Sequence, residues 1–395
     1  MKFVITHDFP EDLVRGFRPL AMKVIFYLLA LIAAALCAGC GATSPYQGSS
    51  SEASAQAPPQ DCFAAALQEH MPGVLASNRV PGAVVSYIKN GEVAWTKAFG
   101  VANLQTGTPM RPDMVFNHGS NGKVMTAWAL MRLVEAGKVE LDAPANRYLK
   151  RWQIRSTKFD PNGVTPRRLL NHTAGLTVHG FSDYEQGVKL PSLVEVLEGK
   201  NQHDGAVYIE SEPGSTMKYS GGGYVIAQMI IEDVSGEPFA AFMEREVAKP
   251  LGLSSLGWVW TPELERRAPT PYDEVENPVG YRQLASQAIG SEICTVTDFA
   301  RFVAATVSGP GGEPPGRGVL KRETISTLLE TFKAEKFLGH SGANPGWHAR
   351  FRLNVERREG YVIANNSSRG GTVNLAIGKL WSEACRGTDT GREQR

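Results

Sequence analysis

The stretch FNHGSNGKVMTAWALMRLVEAGKVEL, residues 116–141, decides the fold of this chain. Its middle is apolar on nearly every side, as shown by Val124, Met125, Trp128, Leu130, Met131, Leu133 and Val134. A helix that is apolar all round lies in a core rather than on a surface. Gly137 is a typical helix stop. The stretch therefore predicts a buried helix that begins near Ser120.

Ser120 and Lys123 stand three residues apart in the first turn of this predicted helix. Residues at that spacing share a helical face, so their side chains are expected to meet. A serine hydroxyl needs a base to take its proton, and lysine is a base only as the neutral amine, which burial and a neighbouring cation favour. The helix N-terminus would stabilise a developing oxyanion. The pair is the predicted reaction centre.

A Ser-x-x-Lys pair alone is a weak signal, and the chain has three of them. Ser86 and Lys89 lie in an alternating strand pattern, where residues three apart point to opposite faces. Ser215 and Lys218 follow a Pro-Gly turn, and no helical run continues from them. Only the pair at Ser120 starts a helix, so the other two are rejected.

Composition predicts a globular protein with a substantial core. The chain has 395 residues, of which 42% are hydrophobic and 9% aromatic, and we expect two lobes. Its 41 Lys and Arg residues nearly balance its 40 Asp and Glu residues. Because there is no basic excess, nucleic acid is not expected as a partner.

The N-terminal region predicts export. The apolar run at 24–38 is shorter than the roughly 20 residues of a membrane-spanning helix and is typical of a signal-peptide core. The charged residues 1–21 are unusual in such a peptide, so Met22 is the expected start. Residues 41–60 are rich in Ser, Ala, Gln and Pro and predict a flexible linker.

Residues 36–40, Leu-Cys-Ala-Gly-Cys, resemble a bacterial lipoprotein box with Cys40 as the lipidated residue. The alternative is an ordinary cleaved secretory signal within residues 1–40. In lipoproteins of this kind, the absence of Asp at position 41 implies retention at the outer membrane. The expected location is therefore periplasmic, and a lipid anchor would be the only membrane contact.

Three cysteines lie beyond the predicted leader. Cys62 opens the first predicted helix and Cys385 closes the last, so a disulfide between them is expected if the two helices pack together. Three separate thiols are the alternative. Cys294 is expected to be a buried small residue.

The two ends of the chain predict one antiparallel sheet. Residues 82–88 and 92–98 flank Asn90-Gly91, a strong hairpin signal. Three further strands are predicted at 336–340, 348–355 and 359–365. The fold class is therefore α/β, with an antiparallel five-stranded sheet flanked by helices and an inserted all-helical lobe.

The α/β lobe is expected to comprise residues 61–118 and 286–386, and the helical lobe residues 119–285. Residues 387–395 form a polar tail. Ligands usually bind in the crevice between such lobes. Two irregular segments, 177–212 and 262–285, are expected to wall the pocket.

Several motifs together resemble those of the penicillin-recognising serine hydrolases, namely class C β-lactamases and related D,D-peptidases and esterases. In chain order they are Ser120-x-x-Lys123, Val139-x-Leu141-Asp142, LLNHTAGL at 169–176, Tyr219-Ser220-Gly221, PLGL at 250–253, and GHSG at 339–342 followed by Pro345-Gly346. The resemblance extends over roughly residues 61–386, and the combination is more specific than any one motif. It implies the β-lactamase/transpeptidase-like fold and no cofactor.

The resemblance also implies roles for individual residues. Ser120 would be the nucleophile, Lys123 would share its proton, and Tyr219 would be the acid and base. The strand with His340, Ser341 and Gly342 would line the site, with the Ser341 hydroxyl and the His340 ring facing a substrate carboxylate. The oxyanion hole would consist of the backbone N–H groups of Ser120 and Ala343.

Two departures from the family pattern concern substrate binding. Gly221 stands where the family usually has an Asn that binds the acyl amide of the substrate. His340 stands where true β-lactamases often have a Lys, and a mostly neutral His anchors a carboxylate less well as the pH rises. An esterase or peptide amidase is therefore expected, with a small molecule or a peptide as substrate.

Alternatives remain. A β-lactamase or D,D-carboxypeptidase acting on β-lactams or peptidoglycan stem peptides is one, and a non-catalytic envelope binder of the same fold is another. An α/β-hydrolase elbow at Ser341 is rejected, because Asn344-Pro345-Gly346 would break the helix that must follow. His172 is expected to be structural and bonded to nearby backbone. No metal-ligand spacing is present.

Overall fold

The computed structural model describes residues 61–201 and 204–384. Seven strands are found there: β1 Gly82–Lys89, β2 Glu92–Gly100, β3 Val115–Asn117, β4 Ile293–Thr295, β5 Phe337–Asn344, β6 Trp347–Asn354 and β7 Glu359–Asn365. Five of them form one antiparallel sheet in the order β2-β1-β7-β6-β5, and β3 pairs with β4 in a small second sheet. The expected fold class is confirmed.

The described residues also contain eleven α-helices. They are α1 Cys62–Asn78, α2 Gly122–Glu135, α3 Pro166–Leu170, α4 Leu193–Leu197, α5 Gly221–Ser235, α6 Phe239–Met243, α7 Lys249–Leu251, α8 Pro262–Arg267, α9 Val296–Ala304, α10 Arg322–Thr331 and α11 Gly370–Ala384. Short 3₁₀ turns lie at Gly119–Asn121, Ala145–Arg147, Pro161–Gly163 and Gln287–Ile289, and a π-helical turn lies at Glu244–Ala248. None of the helices in residues 61–201 and 204–384 has the length and apolar character needed to cross a bilayer.

The large sheet is covered on both faces, as its alternating side chains require. On one face α1 and α11 lie together, and Phe63, Tyr361 and Trp381 form a small core with the sheet. On the other face Val84 and Ile88 join the main core, which also holds Trp128 of α2 and Phe299 of α9. The expectation of a sheet flanked by helices is confirmed.

Helix α2 is the buried element that its composition predicts. Every residue from Gly122 to Leu133 is buried except Arg132, which pairs with Glu135 and Glu246. A 3₁₀ turn at Gly119–Asn121 leads directly into it. Gly137, with φ +66°, follows its end in the left-handed conformation that glycine favours.

Some boundaries differ from the expected ones. Strand β5 continues to Asn344 rather than ending at His340, because residues 337–344 all pair with β6. Helix α5 begins at Gly221, three residues before the expected Tyr224, because Ser220 caps it and three glycines are helical. The β3–β4 pair was not expected, because a three-residue strand leaves too short a pattern to detect.

Several predictions fall on residues that the structure does not describe. The leader and linker within residues 1–60, with Cys40, lie outside the described residues, as do Cys385 and the tail at 387–395. Helices α1 and α11 do pack together, but the pairing of Cys62 with Cys385 stays a prediction. Cys294 is buried, as expected.

Candidate active site

The start of α2 brings the predicted nucleophile and base together. The side-chain nitrogen of Lys123, Nζ, lies 3.0 Å from the Ser120 hydroxyl oxygen, Oγ. Lys123 is only 3% exposed, and its Nζ also donates a hydrogen bond to the backbone carbonyl of Ile289. A lysine held this firmly differs from an ordinary surface lysine, whose charged end extends into water.

Tyr219 completes the group from a distant part of the chain. Its hydroxyl lies 3.0 Å from the same Ser120 Oγ that Lys123 contacts. The Lys123 Nζ also lies 5.2 Å from the centre of the Tyr219 ring and 5.6 Å from that of Tyr224. The serine, the amine and the phenol therefore meet within hydrogen-bonding distance, as the sequence predicts.

His172 and Ser220 fix the backbone on either side of Tyr219. The His172 Nδ1 accepts a hydrogen bond from the Ser220 backbone N–H at 3.1 Å, and the His172 ring lies 4.3 Å from the Tyr219 ring. Because Nδ1 accepts, the neutral ring carries its proton on Nε2. The Ser220 hydroxyl caps α5 by accepting from the Gly223 N–H at 3.1 Å. The predicted bond between His172 and nearby backbone is confirmed.

Strand β5 passes directly against the turn that carries Ser120. A Cβ added to Gly342 would lie 2.7 Å from the Ser120 backbone nitrogen, and one added to Gly119 would lie 2.7 Å from the Ala343 nitrogen. Gly119 also has φ +57°, which favours glycine. The two N–H groups predicted for an oxyanion hole thus belong to backbone segments in close contact.

The remaining predicted substrate-binding side chains lie along β5. The His340 ring lies 6.2 Å from the Tyr219 ring, and its Nδ1 is 2.7 Å from the Ser341 carbonyl oxygen. The Ser341 side chain is exposed. Because successive side chains of a strand point to opposite faces, the hydroxyl of Ser341 and the ring of His340 lie on different faces of β5.

Gly221 lies beside an aromatic ring rather than an open space. A Cβ added at Gly221 would lie 3.1 Å from two ring carbons of Phe181. Few observed Cβ contacts are as close as this, so a longer side chain would require Phe181 to move. Phe181 therefore occupies the region into which an amide side chain at position 221 would extend.

The sequence did not reveal the residues that position the backbone carbonyl to which Lys123 is hydrogen-bonded. The carbonyl group of Ile289 follows a short segment that α5 anchors: Gln228 Oε1 accepts from the Ser286 hydroxyl at 2.8 Å and from the Ala288 N–H at 3.0 Å. A glutamine inside the otherwise apolar run YVIAQMII was the available signal. A backbone carbonyl leaves no such signal.

Two buried ionisable side chains lie close to the Ser120 turn. Burial lowers the pKa of His118 to about 4, although a hydrogen bond to the Cys294 carbonyl opposes this. Burial raises the pKa of Glu292 to about 8, and the positive charge of Lys123 is among the factors that oppose the rise. Neither residue was singled out from the sequence, because each lies among small or polar residues, where an ionisable side chain is ordinary.

A small cavity adjoins the site on the side of Asn117 and Asn344. Its volume is about 20 Å³, room for about one water molecule, and its walls include Trp258, Trp260 and Trp347. Asn117 lines the cavity and is bonded to the turn before α2 and to β5: its Oδ1 accepts from the Gly119 N–H at 3.0 Å and from Asn344 Nδ2 at 2.6 Å. Both segments expected to wall the pocket reach this cavity, 177–212 through Asp183 and 262–285 through Arg282, Gln283 and Leu284.

Fold and site define a class of protein, the serine hydrolases in which a serine and a lysine lie one helical turn apart on a buried helix. Comparison with known proteins identifies the family. The family model described as Beta-lactamase matches residues 63–376, so the chain belongs to the beta-lactamase family. The expected relationship to penicillin-recognising serine hydrolases is confirmed.

Individual relatives differ in activity. The chain is 29% identical over 310 residues to Esterase EstB of Burkholderia gladioli, which covers 75% of this chain and 74% of the esterase. It is 29% identical over 187 residues to Penicillin-binding protein 4 of Amycolatopsis lactamdurans, covering 47% of each protein.

A solved structure of a β-lactamase/D-alanine carboxypeptidase from Pseudomonas syringae covers 80% of this chain and 98% of its own, with a TM-score of 0.65 and 17% identity. The penicillin-binding protein homologue from Pyrococcus abyssi, described as octameric, covers 80% and 76%, with a TM-score of 0.62 and 23% identity. At these identities the two structures support the fold alone.

Proposed function

We propose that this serine hydrolase acts through an acyl-enzyme formed on Ser120, and that its substrates are esters or peptide-type amides. The proposal rests on the fact that two groups able to accept a proton contact the same serine oxygen: Lys123 Nζ and the Tyr219 hydroxyl each lie 3.0 Å from Ser120 Oγ. A nucleophile within hydrogen-bonding distance of its base is the arrangement that covalent catalysis requires.

The proposed reaction proceeds in two steps. In the first, Ser120 Oγ attacks the substrate carbonyl while its proton passes to Lys123 or Tyr219, and the leaving group departs with a proton. The N–H groups of Ser120 and Ala343 stabilise the oxyanion. In the second, a water molecule attacks the acyl-enzyme, the same groups take its proton, and Ser120 Oγ regains one. The acid is released and the enzyme returns to its starting state.

The surroundings of Gly221 support ester substrates. The family's Asn at this position binds a substrate amide, whereas here the Phe181 ring lies 3.1 Å from where a Cβ would be. An aromatic ring cannot replace the hydrogen bonds of an amide side chain. Simple esters do not need this hydrogen bond for binding, so its absence should weaken their binding less than that of amide substrates. The similarity to Esterase EstB is consistent with this preference.

A second candidate is a β-lactamase or D,D-carboxypeptidase activity. The similarity to Penicillin-binding protein 4 of Amycolatopsis lactamdurans favours it. The residue that would bind a substrate carboxylate is His340, whose ring lies 6.2 Å from that of Tyr219 and so borders the reaction centre. A protonated His340 would attract a substrate carboxylate, and this attraction would weaken as the pH rises. β-Lactam or D-Ala-D-Ala turnover would therefore be fastest at mildly acidic pH.

A substrate panel tests the proposal. The panel contains p-nitrophenyl esters, nitrocefin and D-Ala-D-Ala peptides, each measured with the wild type and with Ser120→Ala. We expect ester turnover that disappears in Ser120→Ala, together with fluorophosphonate labelling of the wild type alone. Labelling of both proteins, or of neither, would contradict an acyl-enzyme on Ser120. Nitrocefin turnover exceeding ester turnover would support the second candidate.

We also propose that the protein is exported and anchored in the outer membrane through a lipid on Cys40. The lipoprotein-box resemblance at residues 36–40 supports this proposal. In bacteria that express the chain from Met22, labelled palmitate should be incorporated into the wild type and not into Cys40→Ser. Incorporation into both, or into neither, would contradict lipidation at Cys40.

A further inference from the structure

Glu292 is a buried carboxyl group for which the proposed reaction has so far no role. It directly precedes β4, is 0% exposed, and its backbone carbonyl accepts a hydrogen bond from the His118 N–H at 3.2 Å. Neither carboxyl oxygen makes a well-aligned hydrogen bond with a described residue, although the backbone N–H groups of Gly122 and Glu292 lie near enough to favour its ionised form. Buried polar groups are nearly always well paired, so a poorly paired carboxyl next to a reaction centre requires an explanation.

Gly122 provides the space for this carboxyl group. A Cβ added at Gly122 would overlap Oε2 of Glu292, and the next nearest atoms would also belong to its carboxyl group. Glycine costs a helix up to about 1 kcal/mol relative to alanine, so its presence between Ser120 and Lys123 needs a compensating reason. The carboxyl of Glu292 therefore lies directly against the turn of helix that joins the nucleophile to its base.

Ionisable groups near Glu292 lie on four parts of the chain. Lys123 of α2 interacts favourably with the carboxylate form, and the neighbouring N–H groups of Gly122 and Glu292 favour it as well. His118 lies on the segment before α2 and is neutral near pH 7, because burial lowers its pKa to about 4. On β4, burial raises the pKa of the Cys294 thiol, and the charges of Asp298 and Glu292 raise it further, so this thiol stays neutral. Asp298 of α9 is paired with Arg301 at 2.7 Å. Lys123 is thus the cation that ionisation of Glu292 affects most.

We propose that Glu292 is a positioning residue that controls the charge of Lys123: its carboxyl group is neutral while the enzyme works, and its ionisation holds the lysine as the ammonium ion. This inference rests on the proposed function, in which the neutral amine of Lys123 takes the Ser120 proton. Activity should therefore increase less with pH under alkaline conditions than it would without the Glu292 carboxyl group.

The proton balance fixes the direction of the effect. Below about pH 8 the carboxyl group keeps its proton, because burial raises its pKa to that value, and it adds no charge beside Lys123. Above that pH it loses its proton, and the new negative charge favours the protonated lysine. The fraction of neutral amine then rises less steeply with pH than it would beside an uncharged side chain.

The test compares the wild type with Glu292→Gln, which keeps the shape of the side chain and removes its charge. The ratio of their kcat/KM values for p-nitrophenyl acetate is followed from about pH 6 to about pH 10. We expect a constant ratio up to about pH 7 and a rise of roughly tenfold in favour of the variant by about pH 9.5, equivalent to about one pKa unit of charge interaction. Glu263→Gln, at an exposed position, is the matched control and should show no pH-dependent change.

A ratio that stays constant over the whole range while Ser120→Ala is inactive overturns the role of Glu292 and leaves the proposed function intact. An active Ser120→Ala overturns the proposed function itself. If Glu292→Gln does not fold, Glu292→Leu replaces it, because leucine occupies a similar volume without charge.

A second measurement does not depend on catalysis. Because the pKa is raised in the folded protein, the native state binds the extra proton, so wild-type stability falls relative to Glu292→Gln as the pH rises from about 4.5 to about 8. Thermal unfolding should show a difference in Tm that grows over this interval and then levels. A difference independent of pH would show that the carboxyl group does not ionise in this environment and would overturn the inference.

Discussion

Two Ser-x-x-Lys pairs can be compared, one that forms the reaction centre and one that directly precedes Tyr219. They differ in secondary structure, burial and hydrogen-bond partners. Ser120 and Lys123 begin a buried helix, and Lys123 is 3% exposed. Ser215 and Lys218 lie just before Tyr219, and the Lys218 side chain is 48% exposed. The Ser215 hydroxyl donates to the Glu212 carbonyl at 2.6 Å, and Lys218 Nζ pairs with Glu210 at 2.5 Å.

The difference shows that the residue types do not define the site. At Ser120, helical geometry and burial direct the amine onto the hydroxyl, and packing holds it there. At Ser215, each side chain of the pair instead contacts a nearby glutamate residue at the protein surface. The second pair therefore serves as an internal control for the first: the serine and lysine variants change equivalent positions in both pairs, and the tyrosine and glycine variants have controls elsewhere in the chain.

The largest difference is expected at the serines. Ser120→Ala should lower kcat for p-nitrophenyl esters by about 10³-fold or more, because it removes the nucleophile itself. Ser215→Ala should change kcat by less than about twofold, since an exposed turn hydroxyl contributes little. Steady-state kinetics of the two purified variants provides the measurement. Comparable losses in both would contradict the distinction between the pairs.

The lysines should differ by a smaller factor. Lys123→Met keeps most of the buried aliphatic stem and removes the base, so we expect kcat to fall by about 10²- to 10⁴-fold. Lys218→Met should leave kcat nearly unchanged, because Lys218 contacts Glu210 rather than Ser120. Circular dichroism should show that both variants are folded. Near-normal turnover by Lys123→Met would remove this lysine from the mechanism.

Tyr219→Phe tests the residue that follows the second pair. Loss of the hydroxyl that contacts Ser120 Oγ should lower kcat by about 10²-fold, while the retained ring keeps its packing against His172. The matched control is Tyr208→Phe, at a tyrosine that is 55% exposed. The measurement is kcat for p-nitrophenyl esters with both variants. Equal kcat values for Tyr219→Phe and Tyr208→Phe would exclude the Tyr219 hydroxyl from proton transfer.

The smallest expected effect is on stability, and it concerns the two residues that lie between the serine and the lysine of each pair. The second pair has Thr216 and Met217 there, whereas Gly122 lies against Glu292 and leaves no room for a Cβ. Gly122→Ala should lower the free energy of unfolding by about 1–3 kcal/mol, although alanine is the better helix former. Gly180→Ala, with no atom within 4 Å of the added Cβ, should change it by less than about 0.5 kcal/mol. Thermal or urea unfolding measures both, and a stabilised Gly122→Ala would contradict the close contact.

Much of the fold could be predicted because its signals are local. The Asn90-Gly91 hairpin has the positive φ angles that its sequence predicts, +54° and +79°, and α2 ends where Gly137 indicates. The limits of β5 and α5 could not be predicted, because strand pairing carries β5 past a glycine, and a serine cap starts α5 at glycines that have low helix propensity.

Only part of the candidate site was visible in the sequence. Motif resemblance singled out Tyr219, and its contact with Ser120 joins residues 99 positions apart. The Ile289 carbonyl, Gln228 and Glu292 were missed. A backbone carbonyl has no sequence signature, and a single polar residue, whether in an apolar run like Gln228 or in a mixed segment like Glu292, does not show what it faces. Phe181 beside Gly221 was missed for the same reason.

The sequence by itself determined the buried helix, the hairpin and the shared face of Ser120 and Lys123, because these depend on side-chain periodicity over a few residues. Tertiary structure alone decided that the Tyr219 hydroxyl reaches Ser120, that β5 lies against the Gly119 turn, and that the Glu292 carboxyl occupies the space at Gly122. The physical reason is that these contacts join segments far apart in the chain, and their geometry depends on how the helices and the sheet pack.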